Sequence, residues 1–244
     1  MARRQKSIVN VSCFDCHFRD SSEWSALTDE QIKFIDTDKI SREYKRGDVV
    51  FREGDESLGV YCIKRGLVGI RKTDAEGNSV LLGRLGHPGS TLGYRPFLAG
   101  ESHRGTAEAL KQSTVCFIDG AMVRDLLNAN PALGLSFLES AAKALGEAEE
   151  DYFQSAAHSL RTQILHLLLV FKDRYGQTDK DGGLLVELPV SRQDMAAMVG
   201  ARPESMSRAI RELSDEGIAK FSGRTVQVPD IDSLFNELEP EFRI

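Results

Sequence analysis

What this chain lacks narrows its roles first. No apolar run approaches the length that crosses a bilayer, and the longest, residues 167–171, is the size of a helix-core segment. The start, Met1-Ala2-Arg3-Arg4, continues into polar sequence without an apolar h-region, so no secretory signal is expected. The cytoplasm is the expected compartment, with no membrane partner. Four cysteines, Cys13, Cys16, Cys62 and Cys116, in a cytosolic chain of 244 residues read as reduced thiols or metal ligands rather than a disulfide framework. An excess of positive charge is missing too: 31 Lys and Arg stand against 37 Asp and Glu. Taken alone this argues against nucleic acid, because phosphates are neutralised by Lys and Arg. Placement matters more than the sum. Over residues 188–226 there are six basic side chains (Arg192, Arg202, Arg208, Arg211, Lys220 and Arg224) against five acidic ones. No catalytic base or substrate pocket can be named, so no enzyme is expected.

The length suits two domains, each with its own core. Residues 1–22 are polar, carry Cys13-Phe14-Asp15-Cys16 and show no periodicity, so they read as an irregular segment. From about Tyr44 to Phe117 come short β-prone runs such as Val49-Val50-Phe51, Val60-Tyr61-Cys62-Ile63 and Thr114-Val115-Cys116-Phe117. Turn signals separate them, among them Arg46-Gly47-Asp48, Lys64-Arg65-Gly66 and residues 74–78, which predicts an all-β sandwich or barrel. After Asn130-Pro131 the pattern becomes one long helix to about Ser159. Along it Leu135, Leu138, Ala142, Leu145, Glu149, Tyr152, Ala156 and Ser159 recur at alternating spacings of three and four, a heptad seam that wants a partner helix. Packing on its own domain is the other reading, and the acidic run 147–151 would put like charges near a two-fold axis. A second helix from Leu160 to about Arg174, a polar loop over residues 173–183 and a strand over 184–188 follow.

Ser191-Arg192-Gln193-Asp194 then reads as a capped helix start, Gly200 as a tight turn and Pro203 as the first residue of another helix reaching about Leu213. Met195, Ala196, Val199, Met206, Ala209 and Ile210 make a small core for a helix-turn-helix. That leaves Arg202, Pro203, Glu204, Ser207, Arg208 and Arg211 on the outer face, suited to a major groove. Arg208 can pair with guanine O6 and N7, Glu204 can accept from cytosine N4, and Ser207 can do either. Residues 217–221 and 225–228 flank Ser222-Gly223-Arg224 as a β-hairpin wing, with Lys220 and Arg224 near phosphates and Arg192 a further candidate DNA-binding residue. An ordinary helical hairpin with solvated charges is the bland alternative.

In this order of parts the chain resembles the CRP/FNR family of regulators over nearly its whole length. Residues 47–55 are similar to the family's first β-roll turns, Tyr61-Cys62-Ile63-Lys64-Arg65-Gly66 to its next strand and glycine, and Glu204-Ser205-Met206-Ser207-Arg208 to the Glu-x-x-Ser-Arg pattern of the FNR-like branch. The resemblance implies an α+β architecture: a cysteine-containing segment (1–22), a β-roll sensor domain resembling a cyclic-nucleotide-binding jelly roll (23–130), a dimerisation helix (131–159) and a winged helix-turn-helix (160–244). It also implies a homodimer on TTGAT-type inverted repeats of double-stranded DNA, with RNA polymerase as a further partner. Family members that bind cyclic AMP use a Gly-Glu pair and an Arg-Ser pair; here Gly93-Tyr94 and Arg104-Gly105 stand in those places, which argues against cyclic AMP.

The family's oxygen sensor holds a [4Fe-4S] cluster on three N-terminal cysteines and one later one. Cys13, Cys16 and Cys116 match, while the third N-terminal position falls near Ser22, so a cluster would draw on Cys62, His17, Asp20 or an open iron site. The implied signal is oxygen, redox state or nitric oxide. Leftover or buried cysteines, a metal-free regulator with a ligand in its β-roll, and a CxxC redox protein are the alternatives. His87, His103 and His158 read as surface histidines, without a pattern for haem.

Overall fold

A computed structural model describes residues 7–73, 79–180 and 182–242; the expected turn at 74–78 and residues 1–6 lie outside these. The chain forms two compact units, Met1–Glu147 and Ala148–Ile244. The first contains helix α1 (Asp29–Asp38), strands β1 (Ile40–Tyr44), β2 (Val49–Phe51), β3 (Gly59–Arg65), β4 (Val68–Thr73), β5 (Ser79–Gly86) and β6 (Thr91–Leu92), helix α2 (Tyr94–Ala99), strands β7 (Thr106–Ala109) and β8 (Ser113–Asp119), and helix α3 (Gly120–Ala129). The long helix α4 (Pro131–Ala157) begins here and runs on into the second unit. There follow α5 (Leu160–Tyr175), β9 (Gly176–Thr178), β10 (Leu184–Glu187), α6 (Arg192–Met198), α7 (Pro203–Asp215), β11 (Lys220–Ser222), β12 (Thr225–Val228) and α8 (Ile231–Phe242).

The β-roll is two antiparallel sheets, ordered β1-β8-β3-β6 and β2-β7-β4-β5. Tyr44, Phe51, Ile63, Val68, Ala107, Ala109 and Val115 fill one core cluster. Because strand side chains alternate between faces, Val60 and Ile118 belong to a second cluster, with Trp24, Ile32, Tyr94, Phe97, Val123, Leu133 and Phe137. Cys62 and Cys116, at the same parity as those two, share that face. With both faces covered, β3 and β8 read as near-continuous apolar runs. Gly66, at φ 100°, makes the β3–β4 turn; a Cβ there would stand 2.2 Å from Ser113 Oγ, so only glycine fits.

Several elements differ from the sequence reading. The region expected as all-β, about Tyr44 to Phe117, carries α2 and is flanked by α1 and α3, and the expected loop after residue 173 contains β9, paired with β10. The signal for α1 was local: Thr28 and Gln31 form a reciprocal capping box before Ile32 and Ile35, both buried. On α4, Leu133, Phe137 and Ala144 are buried in their own unit, so the helix has an inner face as well as the expected seam. No described helix is long and apolar enough to cross a membrane.

Candidate functional site

The helix-turn-helix is built from local backbone chemistry. Ser191 Oγ accepts from the Asp194 amide at 3.1 Å and Asp194 Oδ2 accepts from the Ser191 amide at 3.2 Å, closing both ends of a capping box. Gly200, at φ 65°, turns the chain, and Pro203 opens α7. Met195, Ala196, Met206, Ala209 and Ile210 are buried where the two helices meet, while Val199 is half-buried. Arg202, Pro203, Glu204, Ser207, Arg208 and Arg211 are exposed together, and none of these charged side chains makes an ion pair among the described residues.

The wing forms as expected, β11 and β12 pairing antiparallel around Gly223. Lys220 is exposed and Arg224 half-buried. Arg192 differs in emphasis: its Nη2 donates to the Phe221 carbonyl at 3.1 Å and its guanidinium lies 5.9 Å from the Phe221 ring centroid, so it fastens α6 to the wing. A residue that sequence reasoning missed is Arg161 of α5, which bonds Glu216 at 2.6 Å and Glu237 at 3.0 Å, tying α5 to the far end of α7 and to α8. Only tertiary packing brings those charges together.

All four cysteines line one cavity of about 60 Å³ in the first unit, with Ser12, Ser22, Trp24, Ile32, Ile35, Lys39 and Lys64 among its other walls. Cys62 and Cys116 face each other across β3 and β8, and Cys13 and Cys16 come from the N-terminal segment. Ser22, near which the resemblance puts the missing third N-terminal cysteine, is at the cavity, whereas His17 and Asp20 are exposed outside its lining. Burial pushes the Cys13 thiol up to about 12 and raises Cys62 and Cys116 as well. Among the described residues no three His, Cys, Asp or Glu groups converge on a single ion.

Asp36 of α1 holds the CxxC segment in place. It accepts from the Cys13 amide at 2.7 Å, from Ser12 Oγ at 3.0 Å and from Lys39. Against the rise that burial alone would impose, bonds from Lys39, Cys13 and Ser12 bring its pKa down to about 2. The folded value lies below the unfolded carboxyl value of about 3.9. Its stabilisation is therefore complete above that value and is lost as pH falls towards 2. Pepsin is expected to begin cutting near Cys13 within this acid window, and Asp36→Asn should expose the same bonds to protease at neutral pH. An Asp36→Asn protein as resistant as the parent would refute the assignment.

A second cavity in this unit, of about 670 Å³, is lined by Gly93, Tyr94, Arg104 and Gly105 together with Glu23, Thr91, His103 and Ser140. Both pairs that stand in place of the cyclic-AMP residues are thus at one site. The expectation for His103 fails: it is 3% exposed and stacked on Phe51, ring centroids 3.8 Å apart, and burial lowers its pKa. His87 and His158 are half-buried.

Comparison with known proteins agrees with this division. The family described as cyclic nucleotide-binding domain matches residues 41–130, and the Crp-like helix-turn-helix domain matches residues 162–236. The chain is similar to the nitrogen fixation regulation protein FixK of Bradyrhizobium diazoefficiens, 27% identical and covering 84% of each chain. It is also similar to the transcriptional activator protein FnrL of Cereibacter sphaeroides, 24% identical over 92% of this chain and 91% of that one. The structure of FixK2 from Bradyrhizobium japonicum has the same fold, with a TM-score of 0.69 at 23% identity over 81% of this chain and 96% of the other. So has the c-di-GMP-responsive regulator CLP of Xanthomonas campestris, with a TM-score of 0.72 at 18% identity over 83% of this chain and 100% of its own.

Proposed function

Since this chain belongs to the CRP/FNR family of DNA-binding transcription regulators, we propose that it binds TTGAT-type inverted repeats as a homodimer and responds to oxygen, redox state or nitric oxide through its thiol cavity. The observation that carries the sensing half is the meeting of Cys13, Cys16, Cys62 and Cys116 at one small cavity. The sequence specificity rests on Glu204, Ser207 and Arg208 being exposed on one face of α7. Dimerisation is supported by the seam of α4: Leu135, Leu138, Leu145 and Tyr152 are 62%, 64%, 62% and 76% exposed, and Ala142, Glu149 and Ala156 are exposed beside them. RNA polymerase is the expected partner of the DNA-bound dimer.

The donor set fits a [4Fe-4S] cluster. Thiolates are soft anionic ligands, and a cluster takes one for each iron, so its ligands surround a volume rather than converge on one ion. Cys13, Cys16, Cys62 and Cys116 would hold it, with Lys39 and Lys64 offsetting its negative charge. When bound, it would supply iron–sulfur bonds that oxygen and nitric oxide attack. Because burial keeps the Cys13, Cys62 and Cys116 thiols protonated, loading must displace protons and is favoured by rising pH. Anaerobically purified protein should be brown, shift an FNR-type palindrome in a gel, and lose both properties together in air. A colourless protein whose DNA binding ignores iron and oxygen would end this reading. The second reading is a metal-free regulator with a small ligand in the β-roll, which the larger cavity favours because it falls within the ligand-pocket range of about 300–1,000 Å³. Calorimetric titration with candidate ligands separates the two.

A further inference from the structure

An unbroken line of contacts runs from the thiol cavity to α4. Ser41, Cys116, Cys62 and Thr91 stand in one row across β1, β8, β3 and β6, each paired with the next. Cys62 Sγ is 3.9 Å from Thr91 Oγ1. Thr91 is 5% exposed, and its hydroxyl has one hydrogen to give and two lone pairs to receive. It donates to Glu23 Oε2 at 2.8 Å and accepts from Trp24 Nε1 at 3.0 Å. The other oxygen of Glu23 accepts from Ser140 Oγ on α4 at 2.7 Å. Trp24 meets Phe137, a turn earlier on α4, edge to face at 5.6 Å.

The single hydrogen of Thr91 is committed to Glu23, so the contact with Cys62 is made by the thiol donating to the remaining lone pair of the hydroxyl. A sulfur bound to metal has exchanged its S–H bond for an S–metal bond, with the proton gone to solvent. It is then an acceptor only, and it competes with Glu23 for the Thr91 hydrogen. Glu23, Thr91 and Ser140 also border the larger cavity, so a carboxylate released from Thr91 has open space to turn into.

We propose that Thr91 and Glu23 are positioning residues that pass the state of the Cys62 sulfur to α4. While Cys62 is a thiol, Thr91 holds Glu23, Glu23 holds Ser140, and α4 is tied to β6. When the sulfur has no hydrogen to give, Thr91 turns to it and that tie is undone, freeing α4 to adjust towards a partner helix. This inference rests on reading the thiol cavity as the sensing site.

The test uses the full-length protein, metal-free and reconstituted anaerobically with ferrous iron and sulfide, with dimerisation measured by sedimentation equilibrium and iron uptake by absorbance. Thr91→Val and Ser140→Ala should each lower the dimer dissociation constant of the metal-free protein by about 5-fold or more, towards that of the reconstituted parent, with iron uptake unchanged. Thr91→Ser, which keeps the hydroxyl, should behave as the parent. Thr91→Val also strips Trp24 of its acceptor, so Ser140→Ala, on the half-buried side of α4, keeps the test decisive if the first variant folds poorly. Metal-free constants equal to the parent's in the variants, or Thr91→Ser matching Thr91→Val, would overturn the proposal. A parent that takes up no iron would instead overturn the thiol-site reading, and the metal-free comparison would still judge the relay.

Discussion

Phe137→Ala is expected to destabilise the first unit by about 3–5 kcal/mol, the range for deleting a buried aromatic ring. Phe137 is 1% exposed and lies 5.6 Å from Trp24 and 5.4 Å from Tyr94, ring centre to ring centre. The loss has two parts: the transfer energy of the ring, and the cavity left between α4, α2 and the Glu23–Ala26 turn. Trp24 is the chain's single tryptophan, so its fluorescence reports this unit's unfolding in urea. A shift in midpoint worth less than about 1 kcal/mol would show that the neighbours collapse into the space and that α4 is not anchored here.

Arg208→Ala is expected to remove about 1–3 kcal/mol of discrimination at one base pair of the half-site, roughly 5- to 150-fold. The side chain is exposed, and neither Glu204 nor Glu212, four residues either side on α7, pairs with it, so its two donors remain available to guanine. Lys220→Ala supplies the contrast. A phosphate contact has no sequence preference, so its loss should weaken matched and scrambled DNA alike and reduce the salt slope by about 1. Fluorescence anisotropy on both DNAs across a salt series reads the two effects. Equal losses on both DNAs for Arg208→Ala would reject its role as a base reader.

The parts that were legible in the sequence are those whose chemistry is local. Ser191 with Asp194, Gly200 and Pro203 each specify a backbone event within a few residues, and the 3.6-residue pattern of Met206, Ala209, Ile210 and Leu213 fixes which side of α7 is buried and which is left exposed. The thiol site was legible only in its members. That Cys62 lies opposite Cys116 depends on the register of β3 against β8, two strands some fifty residues apart, which no local pattern encodes. His103 failed for the same reason, since its burial comes from stacking on Phe51, half the β-roll away in sequence. β1 was missed because Ile40-Ser41-Arg42-Glu43-Tyr44 is too polar to read as a strand, although Ser41 donates to Cys116 Sγ at 3.2 Å.

The strand order β1-β8-β3-β6 also sets a schedule for biosynthesis. β8 lies between β1 and β3, yet it is the last strand of this sheet to be translated. Until it inserts, Cys13, Cys16 and Cys62 have emerged from the ribosome with no Cys116 to complete their cavity. A site built from all four thiols is therefore complete only once β8 has joined the sheet, and loading on all four follows that step. A nascent chain paused before residue 113 should bind no cluster however much iron is present.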